Sequence, residues 1–209
     1  MCDFIDIYVY LINIDMFVIG NGESRKHINL DKINQTKIGC NAVFRDWQMD
    51  HLVCCDRKMV LEALHETNPD LTKIHTRAEY ISMDSRLSCV PDLPYESKLR
   101  QDQPIHWGSG PYAVLLAIKL IHSDETIHLL GFDLYGTGER INNVYKDSVG
   151  YKKSHERAVD PRYWIHQLHQ LFELHPNIKF MMHVVESFVK PTEWHHTNLE
   201  YQSLTMLRQ

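Results

Sequence analysis

The sequence predicts an α/β protein: a Rossmann-like, mainly parallel sheet flanked by helices, with a polar lid inserted near the end. Three observations carry this. Short apolar runs alternate with helix-period segments, the order that parallel sheets with crossover helices require. Several of the runs, such as MFVIG at 16–20 and TIHLLGF at 126–132, are solidly apolar rather than alternating, as strands covered on both faces are. Four clusters of small or polar residues, at 20–24, Asn41, 108–110 and 133–135, fall where such strands end. Open parallel sheets bind ligands beyond those carboxyl ends.

The elements follow in order. MFVIG is a buried strand that stops at Gly20-Asn21-Gly22-Glu23-Ser24, a turn sequence. Asn29-Leu30-Asp31 opens a short polar helix or turn. KIGCNAVF at 37–44 reads as a second strand, with Asn41 near its carboxyl end, and HLVCCD at 51–56 as a third, closing on Asp56. Asp56 is placed to cap a helix over 57–66 whose apolar face carries Met59, Val60, Ala63 and Leu64. Residues 70–83 hold two short strand candidates, LTKIHT and EYISM, and the proline-bearing stretch 84–107 reads as loop. Gly108-Ser109-Gly110-Pro111 then opens an apolar helix, YAVLLAIKLI at 112–121, with Pro111 suited to a first-turn position. After the strand at 126–132, residues 134–160 are polar, without a clear period, and read as a mobile lid. Pro161 opens a helix to about 175, IKFMMHVV at 178–185 forms a last strand, and 191–209 is expected to be a tail. The domain is thus expected over 16–190, with 1–15 as an N-terminal extension.

Composition narrows the function classes. The 209 residues are 44% hydrophobic and 23% charged, which describes one globular domain rather than a disordered or fibrous chain. A net charge of −5 argues against wholesale nucleic-acid binding, which calls for a basic surplus. The five cysteines are an odd count without a CxxC pair, so a reducing, cytoplasmic setting is expected rather than a disulfide framework. The apolar start, FIDIYVYLINIDMFVI at 4–19, carries Asp6, Asn13 and Asp15, which suits neither a membrane helix nor a signal peptide.

The candidate residues sit at the strand ends. Glycines at 20 and 22 let backbone approach a ligand, and exposed N–H groups there can hold an anion; an ordinary turn is the alternative. Ser109 and Gly110 at a helix start form a second anion candidate, with plain capping as the alternative. Asp133, ending an apolar strand, is placed to orient a hydroxyl or accept its proton, or simply to cap a turn. His155 lies in the polar lid and is a candidate general base. His166 and His169, and the adjacent His195 and His196, lack the converging carboxylate or cysteine of a metal site, so no metal is expected. No G-x-S-x-G elbow supports serine hydrolysis.

Taken together, VIGNGES (18–24), GCNAVF (39–44), WGSGPYAVLLAIKLI (107–121) and IHLLGFDLYG (127–136) resemble the bacterial lipooligosaccharide sialyltransferases of glycosyltransferase family 42, and related phage proteins. The similarity runs in order over roughly 16–185. It implies an inverting transferase that uses a CMP-sugar donor and a hydroxyl acceptor such as a glycan, needs no cofactor or metal, and forms a homo-oligomer. By that resemblance Asn21, Gly22 and Asn41 contact the nucleotide, with Ser24 in the same turn, and Ser109 and Gly110 line the donor site. Asp133 and Tyr135 match an Asp-x-Tyr in which tyrosine helps the phosphate leave; Tyr145 in the lid is a second such donor. The chain departs from the pattern where the family carries its catalytic histidine. Asp160 stands at the counted position, His155 is five residues earlier, and a longer C-terminal region is missing. The alternative expectation is a non-catalytic nucleotide-binding or phage assembly protein on the same fold.

Overall fold

The computed structural model describes residues 15–122, 125–135 and 140–207. Eight parallel strands form one sheet: β1 (Met16–Ile19), β2 (Thr36–Cys40), β3 (His51–Val53), β4 (Lys73–Thr76), β5 (Leu87–Cys89), β6 (Thr126–Leu130), β7 (Lys179–Val184) and β8 (Leu199–Ser203). Their spatial order is β5-β4-β3-β2-β1-β6-β7-β8. The chain builds outward from β1 to one edge, then returns to the other side of β1 to lay down β6, β7 and β8. The reversal lies between β1 and β6, which is where a doubly wound sheet opens a ligand crevice.

β1 shows why the apolar runs are unbroken. Met16 and Val18 face one layer, Phe17 and Ile19 the other, and all four are buried. Helices α2 (Ser109–Leu120) and α3 (Arg162–Leu174) cover the first face; α1 (Arg57–Glu66) and residues around 145–151 cover the second. α2 is sandwiched between the sheet and α3, so its residues 111–118 are all buried and it has no solvent stripe. α3 is amphipathic, with Ile165, Leu168, Leu171 and Phe172 turned inward.

Several expectations are corrected. The second strand stops at Cys40 instead of running to Phe44, because Asn41 adopts a left-handed φ of 50° and the chain turns into a 3-10 helix over Asn41–Arg45. EYISM is a 3-10 helix within Ala78–Met83, and the strand of that region is β5, inside the stretch read as loop. The stretch read as a tail supplies β8, which pairs with β7 from Phe180↔Leu199 to Val184↔Ser203. Within the stretch read as a mobile lid, Tyr145 is 6% exposed and joins the core with Val144 and Tyr151. The expected extension at 1–15 lies, except for Asp15, outside the described residues; Asp15 accepts the Thr126 N–H at 3.0 Å at the foot of β6. No helix among the described residues is long and apolar enough to cross a membrane.

Candidate functional site

At the β1–β6 reversal the two strands stay paired past their formal ends. The Gly20 N–H donates to Leu130 O at 2.7 Å and the Gly22 N–H to Gly131 O at 2.9 Å. A Cβ on Gly20 would stand 2.5 Å from the Gly131 oxygen, so only glycine permits this approach. A Cβ on Gly22 would overlap the Asp133 carboxyl group. That carboxylate accepts the Ser24 N–H at 2.8 Å and the Ser24 hydroxyl as well. Asp133 therefore pins the Gly-Asn-Gly turn of β1 to the end of β6, and Ser24, 8% exposed, serves it from beneath.

A second layer holds the turn from below. Arg25 is buried, with Nε donating to Gly20 O at 2.6 Å and Nη2 to Asn21 Oδ1 at 3.3 Å and the Tyr145 hydroxyl at 3.2 Å. Asn21 Nδ2 donates to Cys40 O and to the Tyr151 hydroxyl, which also accepts the Ala42 N–H at 3.2 Å. Burial pushes the Tyr145 hydroxyl up to about 12, and that of Tyr151 higher still, so both stay protonated. Tyr145 does not line the cleft: it is a support for the turn rather than a group that meets a ligand.

The start of α2 closes the opposite wall. Ser109, 5% exposed, donates its hydroxyl to Asn41 Oδ1 at 2.8 Å and accepts the Cys55 N–H at 3.0 Å. One side chain thus ties together α2, the end of β2 and the end of β3. The N-cap of α2 is Gly108, without a side-chain cap, so the helix start offers backbone N–H groups toward the cleft. Desolvation raises the Cys40 thiol to about 12 and the Cys55 thiol to about 11, which keeps both unreactive in the cleft floor.

These pieces enclose a cavity of about 420 Å³. Its lining joins Asn21, Gly22, Asn41, Ser109, Gly110 and Asp133, six residues singled out from sequence, with Asp56, Arg77, His106, Asn142, Asn143 and Trp164. Five strand ends contribute, from β6 through β1, β2 and β3 to β4. At about 4.8 Å per strand the floor runs roughly 19 Å, and the volume is ordinary for a small-molecule site. Arg77 follows β4 and donates Nη2 to Trp107 O at 2.9 Å. His106 accepts Arg100 Nε at 3.3 Å and meets Tyr163 edge-on. Asn142 accepts the Glu23 N–H at 2.7 Å, which places the 140–145 segment as a fixed wall.

Four expected site residues do not line the cavity: Ser24 and Tyr145, which support the turn, and His155 and Tyr135. His155 is exposed in the distal part of the 140–160 segment and does not line the cavity. Asp160 bonds Arg162 at the surface. Tyr135 is 39% exposed and stands just beyond the lining, because Leu134 turns at a positive φ of 62° and carries the chain outward after Asp133. Sequence reading missed Arg25, Arg77, His106 and Asn142. Arg77 alone had a signal, since it directly follows an apolar strand candidate.

No family model matches the chain, and no curated protein does. Among solved structures it is similar to sialyltransferase CstII from Campylobacter jejuni in complex with the substrate analogue cytidine-5'-monophosphate. That match has a TM-score of 0.50 and 15% identity, over 80% of this chain and 79% of the other. It also matches a point variant of sialyltransferase Cst-II in complex with CMP, at TM-score 0.44 and 13% identity over 80% of each chain. At this identity the match shows a shared α/β fold, which in this chain is an eight-stranded parallel sheet flanked by helices.

Proposed function

We propose that this protein is an inverting glycosyltransferase that moves a sugar from a nucleotide-activated donor, a CMP-sugar, to a hydroxyl acceptor without a metal ion. The observation that carries this reading is the joining of the Gly-Asn-Gly turn, Asn41 and the open start of α2 in one cavity at the sheet's reversal point. The fold shared with a CMP-bound sialyltransferase supports the donor class.

The chemistry asked of such a site is mostly electrostatic. Breaking the sugar–phosphate bond leaves charge on the departing phosphate, and fixed donors aimed at that charge lower the barrier. Ser109 and Gly110 N–H groups, with the dipole of α2, supply such donors. Arg77 is the guanidinium among the described residues lining the cleft, and it adds a full positive charge. Asn21 and Asn142 flank the other end, where hydroxyl and amide groups of a donor find partners.

A thermal-shift series with CMP, CDP, UMP, UDP, GDP and ADP, with and without magnesium, tests the reading. A ligand at about 100 times its Kd adds about 2.7 kcal/mol, a readily visible shift. A shift confined to cytidine nucleotides and indifferent to magnesium is expected; no shift with any nucleotide removes the proposal. One observation favours a second reading, a nucleotide-binding module without turnover: His155 and position 160, where the resemblance calls for the catalytic histidine, both lie outside the cavity lining. Tight CMP binding with every CMP-sugar left intact would select it.

A further inference from the structure

We infer that Asp56 is the general base of this site, taking the proton from the acceptor hydroxyl. The inference rests on the transferase reading above.

Asp56 occupies the N-cap position of α1, with extended backbone at φ −109° and ψ 131°. An aspartate there normally turns its carboxylate onto the helix N–H groups, a bond worth about 1 kcal/mol. In this helix the side chain makes no cap bond. The carboxylate lines the cleft instead, exposed, and forms no hydrogen bond or ion pair among the described residues. Local stability is given up to leave a charged acceptor open inside a ligand cavity, a pattern of functional sites rather than of caps.

Its position fits the role. The preceding residue, Cys55, is fixed through its N–H by Ser109 Oγ at 3.0 Å. Asp56 Cα is therefore one peptide step, about 3.8 Å, from the residue clamped to the start of α2. The cleft's other proton acceptors are engaged. Asp133 is held by the Ser24 N–H and hydroxyl. His106 Nε2 accepts from Arg100 Nε at 3.3 Å.

The step balances without a further reactant. The acceptor oxygen bonds to the anomeric carbon as its proton passes to an Asp56 oxygen. The bond from that carbon to the phosphate oxygen breaks, and its electron pair leaves with the nucleotide. Protonated Asp56 then returns the proton to water.

The test compares wild type, Asp56→Asn and Asp56→Ser in CMP binding and in sugar transfer from a CMP-sugar donor. Serine keeps a capping side chain at α1, so it guards against loss of the fold. Both variants are expected to bind CMP within about twofold of wild type and to lose roughly 10²- to 10⁴-fold in kcat. Added formate is expected to restore part of the rate of Asp56→Ser. Transfer by both variants within threefold of an active wild type would overturn the assignment and leave the transferase reading standing. A wild type that binds no cytidine nucleotide and transfers no sugar would remove that reading, and the assignment with it.

Discussion

Ser109 is the side chain on which the cleft turns, since its hydroxyl joins Asn41 and Cys55 from elements far apart in sequence. Ser109→Ala leaves the buried Cys55 N–H and Asn41 Oδ1 without that partner, at a cost of about 1–3 kcal/mol. A melting temperature lower by roughly 2–10 °C is expected, with CMP Kd raised about tenfold, the equivalent of 1.4 kcal/mol. Calorimetry and titration on the same sample check both. Gly22→Ala pushes a methyl into Asp133 and so frees the Ser24 N–H. Nucleotide binding is expected to vanish there while the sheet, anchored by other contacts, still folds; circular dichroism beside CMP titration reads the difference. His155→Ala, by contrast, is expected to leave melting, CMP binding and transfer unchanged, because the residue is exposed and outside the cavity. Retained transfer by that variant separates this structure from the expectation drawn from sequence.

At the scale of elements, the 140–151 segment decides how the cleft is walled. Arg45, from the 3-10 helix after β2, forms a two-pronged pair with Glu62 of α1 at 2.5 and 2.8 Å. The same guanidinium donates to Ser148 Oγ at 2.9 Å and Val149 O at 2.8 Å. Tyr151 and Tyr145 lie within 6 Å of its charge. Arg45 thus fastens the segment to the body of the protein. Arg45→Ala is expected to lower stability by about 1 kcal/mol, since the pair is partly solvated, yet to speed amide exchange at 148–152 far more than elsewhere. Hydrogen-exchange mass spectrometry would show it; uniform protection across that segment would mean the tyrosines alone hold it.

For the whole molecule, the histidines set the acid limit. They pair across strands: His51 Nδ1 and His75 Nε2 are 3.0 Å apart on β3 and β4, and His128 Nδ1 and His183 Nε2 are 2.8 Å apart on β6 and β7. The second pair stacks with Phe17, at 4.5 Å to His128. In each pair one ring donates and the other accepts, and protonating both rings would place two positive charges side by side in a buried site. Burial lowers His75 and His183 to about 4, and lowers His51 and His128 as well. Folded values below the unfolded one mean that the unfolded chain binds more protons between pH about 6.5 and about 4. Stability is therefore expected to be flat above neutrality and to fall by a few kcal/mol as pH drops through that window. Urea midpoints at pH 7.5, 6 and 5 test the sign; a midpoint that rises on acidification would refute it.

Local sequence alone determined the parallel α/β class, six of the strands in whole or part, all three helices and the six cleft residues at strand and helix ends. These features depend on neighbours within a few positions: apolar runs with both faces covered, glycine turns, a proline-opened helix. β8 stayed hidden because an edge strand needs only Leu199 inward and no continuous apolar run. β5 stayed hidden because three residues with one buried leucine carry no period. The tertiary structure decided which polar groups meet in the cleft. Asn21 meets Tyr151 across 130 positions and Ser109 meets Asn41 across 68, so no local pattern registers them. The same packing leaves His155 and Tyr145 outside the cavity lining and sets Arg77 and Asp56 within it, since the cleft is a surface shared by five strand ends that only the folded sheet sets side by side.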